Sequence, residues 1–112
     1  MPTEQHAEPI EACLQCATAC DVCAAACLLE DDVKAMARCI ALDIDCAATC
    51  RLAAAFMARD SEFSMPVCTL CAEICEACAE ECAQHDSMAH CAACAAACQR
   101  CATACRSVSE FQ

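Results

Sequence analysis

Glycine, tryptophan and tyrosine are absent from this chain of 112 residues, and it has only three prolines and three phenylalanines. Without glycine, the tight turns that join β-strands lose their usual residue. Few β-branched or aromatic residues remain to build strands. A β-rich fold is thereby excluded, and 28 alanines favour an all-helical one. Basic residues are also scarce: six Lys and Arg stand against seventeen Asp and Glu, for a net charge of −11 with histidine neutral. Nucleic acid repels such a surface, so no nucleic-acid partner is expected, and the acidic exterior is read as a solubility device. Long apolar runs are lacking too. The longest, such as 22–29, reaches eight residues, too short to span a bilayer, so no membrane partner is expected. The start Met1-Pro-Thr-Glu-Gln-His6 has neither an Arg-Arg pair nor the apolar stretch of an export signal. A cytoplasmic home is expected, where thiols stay reduced.

What the chain has in excess is cysteine, eighteen of 112 residues. In His90-Cys91-Ala-Ala-Cys94-Ala-Ala-Ala-Cys98-Gln-Arg-Cys101-Ala-Thr-Ala-Cys105 the cysteines step by 3, 4, 3 and 4. About 3.6 residues make a helical turn, so this spacing keeps every thiol on one face. Cys13, Cys16, Cys20, Cys23 and Cys27 repeat the device, as do Cys68, Cys71, Cys75, Cys78 and Cys82. A thinner version runs Met36, Cys39, Asp43, Cys46, Cys50, Ala53, Met57. Four helices each carry thiols where a bundle normally places leucine.

The length suits one domain. Pro9 fits a first helical turn, so the first helix is placed over about 9–29. Asp31 and Asp32 offer an N-cap for a second over 32–59. Ser64 offers another for a third over about 65–85, with Pro66 in its first turn. Asp86-Ser87 precede a fourth over about 87–107. Short connections make this an antiparallel up-down-up-down four-helix bundle with a cysteine-lined core. Glu73, Glu76 and Glu80 hold their own 3-4 phase, away from the thiols, and read as a solvated face. The second helix has a surplus of large apolar residues (Val33, Ile40, Leu42, Ile44, Leu52, Phe56) that do not share the inward stripe. That surplus either fills the space beside the stripe or forms an outer strip that buries itself against another copy of the chain.

Pure packing does not explain eighteen thiols, because cysteine and alanine supply little volume or dispersion contact and invite oxidation. A bundle stapled by disulfides needs bridges between helices that already form by local propensity, since i,i+4 positions lie near the upper edge of disulfide reach. Soft thiolates select Cu(I), Zn(II) and iron–sulfur clusters. Zinc wants a closed tetrahedron, commonly on turns, and iron–sulfur clusters want four cysteines wrapped round a compact core. Straight thiol stripes fit Cu(I) best, because bridging sulfurs let many ions sit along one dry tube. Zinc sequestration and a thiol redox protein are the alternatives. The Cys-x-x-Cys pairs here lack the βαβ setting of redox catalysis, and that work needs one exposed thiol of low pKa. The chain is read as a binding protein and not an enzyme.

The stripe of the third helix continues from Cys82 to His85, while His90 precedes Cys91 and Met36 is in phase at the start of the second helix. With Met88 nearby, these gather at one mouth of the bundle, where they suit receiving an ion and passing it inward, against a plain surface role. His6, Met57 and Met65 lie toward the other end and are read as carrying no metal. Asp43, in phase with the thiols, fits either orienting a ligand or simply hydrogen-bonding.

The CxxCxxxC rows, Cys27-Leu-Leu-Glu-Asp-Asp32, Asp45-Cys46-Ala-Ala-Thr-Cys50 and Glu81-Cys82-Ala-Gln-His85 with His90-Cys91 resemble the cytosolic branch of the bacterial copper storage proteins. The resemblance covers about Cys13 to Arg106. It implies cytosolic storage of many Cu(I) ions, a homotetramer of bundles, and histidines at the mouth. Its main ligands would be the pairs Cys16/Cys20, Cys23/Cys27, Cys46/Cys50, Cys71/Cys75, Cys78/Cys82, Cys94/Cys98 and Cys101/Cys105. Cys13, Cys39, Cys68 and Cys91 extend the same rows. A copper chaperone or a small-molecule thiol is the expected donor.

Overall fold

The computed structural model describes residues 6–110. Residues 1–5 of the expected lead-in and residues 111–112 of the expected tail lie outside them. Among the described residues four α-helices follow one another: α1 (Ala7–Cys27), α2 (Ala37–Ala58), α3 (Ser64–Ala83) and α4 (Ala89–Glu110). α1 and α3 each pack against both α2 and α4, so every helix lies between its antiparallel neighbours. The bundle measures 47 × 19 × 18 Å.

Local chemistry accounts for where the helices begin and end. α1 starts before Pro9, because a first-turn N–H has no intrahelical partner and proline loses nothing there. Asp32 does cap, its carboxylate accepting from Ala35 N at 3.3 Å, but the segment it opens is a 3-10 turn over Val33–Met36. The α-helix proper begins only at Ala37. At the far end of α2, Asp60 takes φ 55, the left-handed conformation usually left to glycine. Ser61 N then donates to Phe56 O and Asp60 N to Met57 O, both at 3.0 Å, closing the helix with paired return bonds. Ser64 is not a cap: it is the first residue of α3, and its buried Oγ has no hydrogen-bond partner. Ser61 Oγ instead accepts from Phe63 N at 3.1 Å.

All eighteen cysteines are fully buried. Ala17, Ala47, Ala54, Ala72, Ala79 and Ala102, each four residues after a member of a stripe, are buried beside them. These alanines lie at the seams between helices, where a larger side chain would push the axes apart. α1 is long and apolar enough, by length and composition, to cross a membrane. Its cysteine face is nevertheless buried in the bundle. Glu73, Glu76 and Glu80 face solvent, and Glu76 holds Arg106 through two bonds of 2.8 and 3.1 Å. Of the large residues of α2, Ile40 and Leu42 pack against the core while Ile44 and Leu52 are exposed. Leu14, Val22, Leu28 and Leu29 are exposed from α1 and the connection after it. The uncovered apolar residues therefore extend over α1 as well as α2.

Candidate metal site

Inward projection of four stripes packs the sulfurs into a column. Along α1 the column runs from Cys13 to Cys27, about 21 Å at 1.5 Å per residue. Within a helix, Cys16/Cys20 lie 4.0 Å apart, Cys23/Cys27 3.8 Å, Cys46/Cys50 3.9 Å, Cys71/Cys75 3.9 Å, Cys78/Cys82 4.0 Å and Cys94/Cys98 3.9 Å, sulfur to sulfur. Contacts across the bundle are as short. Cys39 and Cys82 meet at 3.5 Å, Cys13 meets Cys101 and Cys105 at 3.6 Å, and Cys46 meets Cys75 at 3.6 Å. Cys16 meets Cys98 at 3.6 Å and Cys50 meets Cys101 at 3.7 Å. Every cysteine is a free thiol. Cys68, the outermost thiol of α3, is buried too and interacts with Cys105.

These separations are close to the edges of a metal polyhedron. With a metal–sulfur bond of about 2.3 Å, three thiolates round one ion stand about 4.0 Å apart and four about 3.8 Å. Groups whose ligand atoms all lie within 4.8 Å of one another recur along the column. They include Cys13, Cys71, Cys101 and Cys105; Cys16, Cys46, Cys50 and Cys75; Cys16, Cys20, Cys46 and Cys98; and Cys20, Cys78, Cys94 and Cys98. Successive groups share members, such as Cys16 and Cys46, so the column is a continuous series and not a set of separate cages.

Burial and hydrogen bonding between sulfurs together set the protonation of the column. Desolvation is the leading cause that pushes Cys91 up to about 11, and it raises Cys23 and Cys39 as well. Deeper in, hydrogen bonding to neighbouring thiols leads, raising Cys50 chiefly through Cys101 and Cys98 chiefly through Cys16. Hydrogen bonds among the same sulfurs lower Cys16, Cys46, Cys71, Cys78, Cys94 and Cys105, while desolvation raises each of them. The column thus shares its protons between sulfurs, and a soft cation must displace them to bind.

Asp43 is fully buried among these groups. Its Oδ1 accepts from Cys78 at 3.2 Å, Cys94 at 3.3 Å and Cys82 at 3.6 Å, and its Oδ2 from Cys39 at 3.9 Å. Burial first, and the electrostatic interaction with Cys94 next, push its carboxyl up to about 9, so it is protonated at neutral pH. Of the two roles open in the sequence, the structure shows hydrogen bonding.

At one end the structure brings Cys23, Cys27, Cys91 and His90 together. His90 Nδ1 lies 3.5 Å from Cys91, 3.6 Å from Cys23 and 3.9 Å from Cys27. Its Nε2 donates to Glu30 Oε2 at 3.0 Å. Met36 is buried at the same end, and Met88 packs partly against the core. His85, just past the end of α3, turns back to that helix, with Nε2 2.9 Å from Glu81 Oε2, and Glu81 Oε1 in turn holds Arg38 at 3.2 Å. Glu81 stands four residues before His85, a spacing legible in sequence, whereas Glu30 lies 60 residues from His90 and is found only by folding. At the opposite end His6 is buried, its Nδ1 donating to Met57 O at 3.3 Å, and Met57 is fully buried, while Met65 is only partly so.

A sequence profile described as Csp, copper storage protein, matches residues 2–110. The uncharacterized cysteine-rich protein YhjQ of Bacillus subtilis (strain 168) is 49% identical over 84 residues, which cover 74% of this chain and 78% of YhjQ. Among solved structures, a cytosolic copper storage protein from Streptomyces lividans described with five coppers superposes with a TM-score of 0.94 at 40% identity, covering 99% of this chain and 97% of that one. The Cu(I)-bound copper storage protein BsCsp3 superposes with a TM-score of 0.87 at 46% identity, over 97% of this chain and 99% of that one. A profile spanning nearly the whole chain, these identities and the shared fold agree: the chain belongs to the copper storage protein family.

Proposed function

We propose that this chain stores Cu(I) in the cytoplasm by binding many ions along its thiol column, and that it catalyses no reaction. One observation carries the reading: all eighteen cysteines are fully buried, and sulfur–sulfur contacts of 3.5–4.0 Å run from helix to helix along the column. Charge balance favours a monovalent soft ion over zinc. One Cu(I) per displaced proton leaves the interior neutral, whereas a Zn(II) held by four thiolates leaves two negative charges in each dry site. Overlap between the thiol groups also penalises zinc, since neighbouring tetrahedra compete for Cys16 and Cys46. Bridging sulfurs remove that competition and bring capacity toward about one Cu(I) per cysteine. A redox role finds no support in thiols that are fully buried and, at the mouth, raised by burial.

The proposed ligands are Cys13, Cys16, Cys20, Cys23, Cys27, Cys39, Cys46, Cys50, Cys68, Cys71, Cys75, Cys78, Cys82, Cys91, Cys94, Cys98, Cys101 and Cys105 in the column. His90, His85 and Met36 are proposed for the mouth. The apolar residues exposed on α1 and α2, Leu14, Val22, Ile44 and Leu52 among them, support assembly of bundles into a homo-oligomer. Light scattering at micromolar concentration checks this, and a monomeric mass removes it. A copper chaperone or a small thiol is the proposed donor. Anaerobic competition of the reduced protein against a Cu(I) chelator, beside a zinc titration, tests the storage reading. Many tightly held Cu(I) per chain are expected. Retention of zinc in preference to Cu(I) would overturn it.

A further inference from the structure

The mouth histidine that faces the thiols is held from behind. Neutral imidazole carries its proton on one ring nitrogen and a lone pair on the other, and the hydrogen bond made by one nitrogen sets the role of its partner. His90 Nε2 is 3.0 Å from Glu30 Oε2, and a carboxylate only accepts, so the proton sits on Nε2. The lone pair is then on Nδ1, the nitrogen 3.5–3.9 Å from Cys91, Cys23 and Cys27. Glu30 is itself held in place. It lies in the reversal after α1, and its N–H donates to Cys27 O at 3.2 Å, following Leu29 N to Ala26 O at 3.0 Å. The carboxylate thus comes from the same turn that ends the Cys23/Cys27 stripe and reaches across to the first turn of α4. His85 offers a contrast. Its carboxylate, Glu81, stands four residues earlier in the last turn of α3, and Arg38 claims the other oxygen. That pair does not join two elements, whereas the Glu30–His90 pair does.

We infer that Glu30 is a positioning residue for copper uptake: it locks His90 in the Nε2–H tautomer, with the Nδ1 lone pair aimed at the Cys23, Cys27 and Cys91 sulfurs, so that an arriving Cu(I) meets a ready nitrogen before it displaces a thiol proton. The inference rests on the storage reading above and assigns the first step of that process. Glu30 does not touch the ion. It acts through the ring, as carboxylates behind metal-binding histidines do, where their removal costs roughly 10–100-fold in affinity or activity.

The test uses the full chain, anaerobic and reduced, as wild type, Glu30→Ala and Glu30→Gln. Glutamine keeps an oxygen that accepts from Nε2 and serves as the conservative rescue. In the empty protein, long-range proton–nitrogen spectra report the tautomer of His90 without any metal. Wild type and E30Q should show a hydrogen-bonded Nε2–H, and E30A should lose that signal to exchange with solvent. With Cu(I) supplied as a chelator complex, uptake of the first equivalents should slow by about 10–100-fold in E30A and stay within a few-fold of wild type in E30Q. Final capacity should be equal in all three. Wild-type uptake by E30A, or E30Q as slow as E30A, overturns the inference. Wild type that takes up no Cu(I) sinks the storage reading itself, while the spectrum of the empty protein still decides whether Glu30 sets the ring.

Discussion

The column closes differently at its two ends. At the mouth, His90 keeps 17% of its side chain in solvent and turns a nitrogen toward three thiols, with Glu30 behind it. At the far end Met57 is fully buried, His6 is spent on the carbonyl of Met57, and Val108 is buried beside the last thiols of α4. One end offers a partly exposed imidazole in contact with the column, and the other offers apolar bulk. The same four stripes therefore produce a tube with a direction, set by which residue types stand beyond the outermost cysteines at each end. Met57 and His6 are in phase with the stripes just as Met36 is, while His90 directly precedes Cys91, so phase alone does not separate a plug from a port. What separates them is burial, together with the partner each side chain has taken.

The sharpest way to break this contrast is Met57→Ala. A plug that loses a fully buried methionine should destabilise the empty protein by about 2–5 kcal/mol in denaturant unfolding, with the rate of Cu(I) uptake unchanged. Faster uptake in this variant would show that ions also pass the far end. His90→Ala should do the reverse, slowing uptake of the first equivalents by roughly 10–100-fold with little loss of stability, as followed by stopped-flow transfer from a chelator.

Asp43 sharpens the comparison next, because the mouth half of the column holds this carboxyl. Its folded pKa, about 9, lies above the unfolded value of 3.8, so the folded state binds the extra proton between those limits. Stability is then greatest at the acid side of that window and falls as pH rises, by up to about 1.4 kcal/mol per pH unit. Thermal unfolding of the reduced, empty protein between pH 5 and 7.5 should show that slope, and Asp43→Asn should flatten it. The smallest effect belongs to the outer surface. Arg106→Ala, which releases the exposed Glu76, should change stability by less than about 1 kcal/mol and leave copper uptake unchanged.

Much of the column was legible in the sequence. The 3-4 spacing fixes which way each thiol points, and alanines four residues after stripe positions agree with close helix approach. The ends were harder. Ser64 has the composition of a cap yet lies inside the helix, because Ser61 supplies the side-chain bond to Phe63 N. Asp32 caps as its type suggests, but it opens a 3-10 turn, a distinction that depends on how the chain crosses from α1 to α2. His6 stands one heptad before Cys13, and that phase was the available sign of its burial. Nothing in the spacing pairs Glu30 with His90, since their contact exists only once α4 has returned beside α1.

The central claim is tested most directly by adding Cu(I) to the reduced protein in a pH-stat, anaerobically, and counting protons with ions. Thiols held neutral by burial should yield about one proton for each Cu(I) bound, continuing until ions approach the number of cysteines. Binding without proton release, or saturation after one or two ions, would contradict a column of buried thiols that exchanges hydrogen for copper along its length.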